Sequence, residues 1–358
     1  MRFAFFADVH LSKYSQDKTE DESNLPERLH SIKSALHEVT LYCIENNIRF
    51  IVIGGDMLHG KSVIYAIAQK IMRDYIKQYA DDMIEFIVID GNHDISGKGE
   101  DVISALEPLD DITGVKWIGF NDTWRWPSGE CFIPGKGDVP SEIDILFVPY
   151  SYNMSNIIKN NKARILVSHF GLSEATVNSG MSIVSDIGIK DLQGRYDLVL
   201  LGHYHKPQEI IRDDISIYYS GSLIQLDWGE KGEEKRFLVV DTDTLDVQSI
   251  PLKNYKKHVE IELTTSNVDE AIRLAREAKE SGDHVKVIMK EAVDITDIKG
   301  EFNIVDKTEQ DITDRGITSS MSLDDKLRKY MEIREVPEDK REQYFQIAQE
   351  IINEGDIL

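Results

Sequence analysis

The chain alternates short apolar runs with stretches of helical periodicity. Residues 2–7, RFAFFA, form a compact apolar run followed by polar positions, the pattern of a buried strand. From Lys13 to Asn24 the chain is polar and charged and reads as a mobile loop. Leu25, Leu29, Ile32, Leu36, Val39 and Cys43 then recur at helical spacing and predict one amphipathic helix. Phe50 to Ile53 is the next strand, and Val63, Ile67, Ile71 and Tyr75 mark the next helix. Further strands are expected at Ile84 to Ile89, Ile143 to Val148, Ile165 to Val167 and Leu198 to Leu201, then at Ile215 to Tyr219 and Phe237 to Val240. Strands alternating with helices predict an α/β layered sheet, and the late strands without helices predict a mixed sheet or a sandwich.

The pattern changes near Pro251. Val259 to Leu263 alternates like a strand, and Asn267 with Glu270 resembles a capping box ahead of a helix, AIRLAREAKE. Val285 to Met289 is another strand, which completes a small β-α-β unit. Residues 294–320 are polar, acidic and without periodicity, and read as a linker. Beyond them Leu323, Leu327, Tyr330 and Met331 lie on one helical face. Pro337 opens a second helix with a stripe of Tyr344, Ile347, Ala348, Ile351 and Ile352.

Composition narrows the classes. No stretch approaches the roughly 18 consecutive apolar residues that span a bilayer. Met1-Arg2-Phe3 leads straight into the first strand rather than into a secretory leader. Two cysteines, Cys43 and Cys131, make no disulfide framework, so a reduced, cytoplasmic protein is expected. Charge complicates any nucleic-acid role: 41 basic against 64 acidic residues leaves −23, where bulk attraction to phosphate favours a basic chain. Either the substrate is small or a partner supplies much of the phosphate-binding surface.

Five short motifs carry the candidate chemistry, each just after a predicted strand: Asp8-Val9-His10, Gly55-Asp56, Gly91-Asn92-His93-Asp94, Ser168-His169 and Gly202-His203-Tyr204-His205. Singly, each has an ordinary reading as a loop or turn. Together they fall where ligands gather in open α/β sheets, beyond the carboxyl ends of strands. Carboxylate, imidazole and amide oxygen are the donors that hold hard to borderline divalent metals. Two ions about 3.5–4 Å apart need shared ligands with positions left for water and substrate. Asp8, His10, Asp56, Asn92, His169, His203 and His205 supply seven such donors.

This motif series resembles that of the calcineurin-like metallophosphoesterases, and within them the SbcD-type nucleases of double-strand-break repair. Three features carry the narrower resemblance: His59 in Gly-Asp-Met-Leu-His, the segment Tyr219-Ser220-Gly221-Ser222 with Trp228-Gly229-Glu230 and Lys235, and the small unit followed by a helical tail. The motifs cover about residues 1–240. The resemblance implies a layered metallophosphoesterase sandwich with a small β-α-β capping domain and a helical C-terminal tail. It divides the chain into a nuclease domain at 1–255, a DNA-binding capping domain at 256–293, a linker at 294–320 and an ATPase-binding tail at 321–358. It assigns Asp8, His10 and His205 to one metal, Asn92, His169 and His203 to the other, and Asp56 to both. Manganese is the implied metal, with magnesium, iron or zinc open from the donors alone. A water shared by the cations is the implied nucleophile. His93 is implied beside the scissile phosphate, where it stabilises or protonates the leaving 3′ oxygen, with Asp94 fixing its tautomer. His59 is implied to place the substrate phosphate.

The leading expectation is therefore a manganese-dependent 3′ to 5′ exonuclease and single-strand endonuclease acting on DNA with an SbcC-like coiled-coil ATPase. The resemblance also implies a homodimer formed through helices of the nuclease domain. A small-molecule phosphodiesterase or phosphatase on the same fold is the alternative, favoured by the acidic charge. A scaffold that has lost catalysis is opposed by the presence of all seven donors and His93. His30, His37, His258 and His284 read as structural or surface residues, and Trp117, Trp124, Trp126 and Trp228 as packing groups. Lys253, Lys256 and Lys257 form a small basic cluster, which is usually a solvated face.

Overall fold

The computed structural model describes residues 1–13, 25–60, 63–80, 84–99, 101–126, 144–176, 185–307 and 321–353. Cys131, almost all of the 13–24 segment and residues 308–320 lie outside the described residues. Contacts divide the chain into two units, Met1–His258 and Val259–Leu358.

The first unit begins with β1 (Arg2–Phe6), α1 (Glu27–Glu45), β2 (Phe50–Ile53), α2 (Ala66–Ala80) and β3 (Glu85–Ile89). A short hairpin of β4 (Ile95–Ser96) and β5 (Ile103–Ser104) follows, then β6 (Val115–Ile118), β7 (Trp124–Trp126) and β8 (Ile145–Val148). Next come α3 (Met154–Asn160), β9 (Ile165–His169), α4 (Ile189–Leu192) and β10 (Leu198–Gly202). The unit closes with β11 (Gln208–Arg212), β12 (Ile215–Tyr219), β13 (Arg236–Asp241) and β14 (Val247–Pro251).

These strands build two six-stranded mixed sheets, ordered β14-β13-β1-β2-β3-β6 and β11-β12-β10-β9-β8-β7. β1, β2, β3 and β6 run parallel in the first, and β8, β9, β10 and β12 in the second. The strand alternation decides the layers. Phe3 and Phe5 of β1 face the second sheet, where Phe147, Val167 and Leu200 meet them, while Ala4 and Phe6 turn to the opposite face. There Leu29, Ile32 and Leu36 of α1 and Met72 and Ile76 of α2 cover them. Leu146, Leu166 and Leu201 of the second sheet are covered in turn by Met154 and Ile158 of α3 and Leu192 of α4. The result is a four-layer α/β sandwich. Parallel strands buried on both faces explain why the sequence shows continuous apolar runs there rather than alternation. Each fully buried Phe or Leu contributes about 1.5–3 kcal/mol.

Three local expectations are corrected in this unit and the next. α2 starts at Ala66, so Val63 stands outside the helix with 66% of its surface exposed. The second unit holds β15 (His258–Leu263), α5 (Val268–Glu280), β16 (His284–Met289) and β17 (Asn303–Asp306). The capping box before α5 does not form: Asn267 Oδ1 accepts the Thr264 N–H at 2.8 Å, its Nδ2 donates to the Glu262 carbonyl at 2.9 Å, and Glu270 pairs with Arg273. Part of the expected linker is ordered. β17 pairs in parallel with β16 as the third strand of the sheet β15-β16-β17, and Ile298, Phe302 and Ile304 join its small core. Four residues with only half-buried apolar positions give too short a pattern to stand out among acidic neighbours.

The unit ends with α6 (Leu323–Ile333) and α7 (Glu338–Asn353), which pack on each other. Phe345 and Met331 are the buried pair, with the Arg328 guanidinium 4.2 Å above the Phe345 ring. Tyr330, Tyr344 and Ile347 stay 42%, 45% and 42% exposed, so the expected stripe on α7 is only partly the face used within the pair. The side chains of Leu323, Ile351 and Ile352 lie outside the described part. Among the described residues no helix is long and apolar enough to cross a membrane.

Candidate metal centre

All seven candidate donors sit at the carboxyl ends of the parallel strands. Asp8 and His10 follow β1, Asp56 follows β2, and Asn92 with His93 follows β3. His169 is the last residue of β9, and His203 and His205 follow β10. The loops after β1 and β2 are zipped together: the Asp8 N–H bonds to Gly55 O at 3.1 Å, and those of Val9 and His10 to Asp56 O at 2.9 Å. The two sheets meet at the same edge, where the His203 N–H donates to both Asp8 oxygens at 3.0 and 3.1 Å.

This convergence bends the backbone. Asp8, His10, Asp56 and His203 have φ of +55°, +52°, +53° and +97°. Non-glycine residues in that region carry strain of order 1–3 kcal/mol each, which the buried core offsets. The glycines of the motifs are explained by crowding. A Cβ on Gly91 would strike the Asp56 backbone and carboxylate, and one on Gly55 (φ +94°) would lie 2.5 Å from His169 Nδ1.

The donors fall into two clusters that share Asp56. His10 Nε2 and His205 Nε2 lie 2.9 Å apart, and with an Asp8 oxygen all three donors are within 4.8 Å of one another. Asn92 Oδ1 is 3.1 Å from His169 Nε2 and 3.0 Å from His203 Nδ1. Asp56 Oδ2 is 3.3 Å from His169 Nε2 and 3.6 Å from His10 Nε2, between the clusters, while its Oδ1 accepts the His93 N–H at 2.8 Å. The far sides of two imidazoles, His169 and His205, are anchored where a metal ligand needs it. His169 Nδ1 donates to the Gly54 carbonyl at 2.8 Å and His205 Nδ1 to Glu230 Oε1 at 3.0 Å, which leaves each Nε2 lone pair facing inward. Imidazole, carboxylate and amide oxygen converging from two sides fit a pair of divalent cations.

His93 and His59 flank this pair. Their rings stack with centroids 4.8 Å apart and planes 12° apart, and the His93 ring stands edge-on to His10 at 4.8 Å. The Asp94 oxygens accept the N–H groups of Leu58 at 2.8 Å, Gly91 at 2.9 Å and Met57 at 3.3 Å, tying the β2 and β3 loops together. Burial, then the charges of Asp56 and Asp90, push its carboxyl well up. His59 Nδ1 is 2.9 Å from His10 Nδ1, so it braces a candidate ligand.

Sequence reasoning passed over the residues behind this wall. Asp90 accepts from Trp117 Nε1, Ser104 Oγ and the Phe120 N–H, holding the loop that carries Asn92. Trp126 is fully buried and Trp228 packs on His258, as packing groups should. Lys256 is paired with Glu27. His37 bonds Tyr79 between α1 and α2, a structural role.

Electrostatics assign protons in the metal-free site. Burial pushes the Asp8 carboxyl up to about 6 against the pull of His169 and His205. Burial also opposes ionisation of Asp56, yet His169 and His93 hold it well below the ordinary carboxylate range. Burial works against a charged His169, but the Asp56 carboxylate outweighs it and raises the ring to about 9. His10 is held well below its ordinary value by burial and then by His205, and His203 down to about 3 by burial and then by His169. A cation held by His169 would have to displace its proton below about pH 9. Metal affinity is expected to rise between pH 6.5 and 9 by about tenfold per pH unit for that one proton, then level off. In the metal-free chain the sign is opposite: the raised imidazole stabilises the fold fully below pH 6.5, and that contribution is lost as pH rises through about 9. Calorimetric titration in buffers of different ionisation enthalpy counts the protons released. Affinity independent of pH over that range would contradict the assignment.

The profile of the calcineurin-like phosphoesterase family matches residues 1–207. The chain is 25% identical over 273 residues to the SbcD component of the SbcCD nuclease of Bacillus subtilis, covering 67% of this chain and 66% of that one. It is 25% identical over 277 residues to the DNA double-strand break repair protein Mre11 of Archaeoglobus fulgidus, covering 73% of this chain and 59% of the relative. Both alignments thus span less than two thirds of the relative's length. Among solved structures, a dimetal phosphatase from Danio rerio is similar over 70% of this chain and 99% of its own, at 10% identity and a TM-score of 0.42. With the family profile spanning more than half of the residues and the motif donors converging as that family's chemistry requires, the chain belongs to the calcineurin-like phosphoesterases.

Proposed function

We propose that this phosphoesterase is a DNA nuclease, a 3′ to 5′ exonuclease on duplex ends and an endonuclease on single strands, using two manganese ions. The observation that carries the reading is Asp56, whose Oδ2 lies between the two donor clusters with the His93 N–H on its other oxygen. Two divalent ions held there supply the charge that polarises a phosphodiester and activates a water. The residues themselves do the rest. Asp8, His10 and His205 would hold one cation, and Asn92, His169 and His203 the other, each set having its donor atoms close together. His93, buried to 8% exposure and stacked on His59, moves a proton to the leaving 3′ oxygen. The names of the sequence relatives support DNA as substrate.

The same reading places the chain in an SbcCD-like end-processing complex in the cytoplasm. Its ATPase partner seats on the α6–α7 pair, where Tyr330, Tyr344 and Ile347 remain exposed, a helix-in-groove mode. A homodimer would form through helices of the catalytic unit, where Leu41 of α1 is 51% exposed. Such partners also answer the charge of −23, since they can supply the basic surface. That charge is the one observation favouring the second reading, a small-molecule phosphodiesterase.

Degradation of linear duplex and single-stranded DNA, measured against a chromogenic bis-phosphate ester with manganese, separates the two. The nuclease reading expects DNA to be cleaved with the higher kcat/KM. Ester hydrolysis with inert DNA would establish the alternative. Deleting residues 321–358 is expected to preserve single-strand cleavage while abolishing co-purification with the ATPase and its ATP-stimulated duplex digestion. Unchanged ATPase affinity in the truncated chain, or its unfolding, would remove the tail from the partner interface.

A further inference from the structure

Behind His205 lies a buried charged network that the reaction does not use directly. Glu230 and Lys235 are both fully buried, and their side chains pair at 2.7 Å. Glu230 Oε1 takes the His205 Nδ1–H at 3.0 Å. Its Oε2 takes the Ser222 hydroxyl at 2.9 Å and the Leu226 N–H at 3.0 Å. Lys235 Nζ donates to Ser222 Oγ and Glu233 Oε2 at 2.9 Å each, and to the His205 carbonyl at 3.1 Å. His205 is thus gripped at two points, its ring by the anion and its backbone by the cation. The opposite ring nitrogen is left 2.9 Å from His10 Nε2.

We infer that Glu230, locked in place by Lys235, is a positioning residue for His205 and makes the Asp8–His10–His205 position the tighter of the two cation sites. The inference rests on the two-metal reading of the centre. Its physical basis is an asymmetry. The corresponding contact behind His169 is to a neutral carbonyl, that of Gly54, at 2.8 Å. A carboxylate acceptor makes a hydrogen bond roughly twice as strong as a neutral one. It also fixes the proton on Nδ1 and raises the basicity of Nε2, the atom that ligates. A buried ion pair alone is weak ground for stability, since desolvating two charges offsets much of their attraction. Ser222 and the backbone saturate this pair on the side away from His205, so the remaining Glu230 oxygen is directed at the ring.

The experiment is a manganese titration of the full, chelator-stripped chain, reading both dissociation constants, with the metal-free melting temperature measured in parallel. The Glu230→Gln variant keeps the shape and removes the charge. One site is expected to weaken about 10–100-fold while the other changes less than about threefold. In a His205→Ala background, Glu230→Gln is expected to leave the surviving site unchanged, because the two changes act through one ring. The milder Ser222→Ala, which keeps both charges, is expected to weaken the same site by a smaller factor and serves if Glu230→Gln does not fold. Equal weakening of both sites, or a lowered melting temperature with both affinities intact, would reduce the network to a structural clamp and overturn the inference. Fewer than two ions in the unaltered chain would instead overturn the two-metal reading beneath it.

Discussion

Replacing Asp56 with alanine is expected to empty the centre of both ions and to take hydrolysis below detection. Asp56 reaches both clusters, because its Oδ2 stands 3.3 Å from His169 Nε2 in one and 3.6 Å from His10 Nε2 in the other. Its Oδ1 also holds the His93 N–H at 2.8 Å, so the change frees the loop that carries Asn92 and His93. The loss is electrostatic as well. Asp56 is the carboxylate that raises His169, and without it burial drives that ring toward neutrality. Asn92→Ala touches one cluster and should spare part of the metal content. Elemental analysis after exhaustive dialysis reads this directly: two ions per unaltered chain, about one in Asn92→Ala, and none in Asp56→Ala. Two ions in Asp56→Ala would mean that the carboxylate is not shared.

The second large effect separates chemistry from binding. His93→Ala is expected to keep both ions and lose about 10²–10⁴-fold in kcat, the range of general acid catalysis. That is about 3–5 kcal/mol of transition-state stabilisation. The grounds are positional. His93 contributes its N–H to Asp56, which the alanine variant retains, while its ring lies against His59 and edge-on to His10 rather than within the clusters that share Asp56. Loss of metal together with activity would turn His93 into a ligand. His59→Ala is the useful contrast. Its ring meets His10 Nδ1 at 2.9 Å, so it is expected to loosen the cation on that side as well as to impair duplex substrates more than simple esters. Equal loss on both substrates, with metal content unchanged, would count against both roles.

Much of the layered unit is legible in the apolar runs. RFAFF, FIVI and EFIVI are buried on both faces between helices and a second sheet, and such strands carry no polar alternation to blur them. β7, β11 and β14 are not legible in this way, because strands at sheet edges are short or half exposed, and their hydrogen bonds come from neighbours that the local sequence does not name. β17 escapes for the same reason, and Asn267 shows that a cap pattern loses to a competing turn when its side chain can bond Thr264 and Glu262 instead.

The sequence by itself determined which chemistry this chain can do. Carboxylate, imidazole and amide donors stand one to four residues past the ends of apolar runs, or on the last residue of one, a placement set by strand length and local pattern. Only the tertiary structure decided what stands behind each donor. Asp94 turned to backbone N–H groups, His59 to His10, and the Glu230–Lys235 pair to His205. Asp8 and His203, 195 positions apart, meet because β1 and β10 lie in facing sheets whose carboxyl ends coincide. Such contacts follow from sheet order and from the left-handed turns at Asp8, His10, Asp56 and His203, and both are set by long-range packing that no local window of residues encodes.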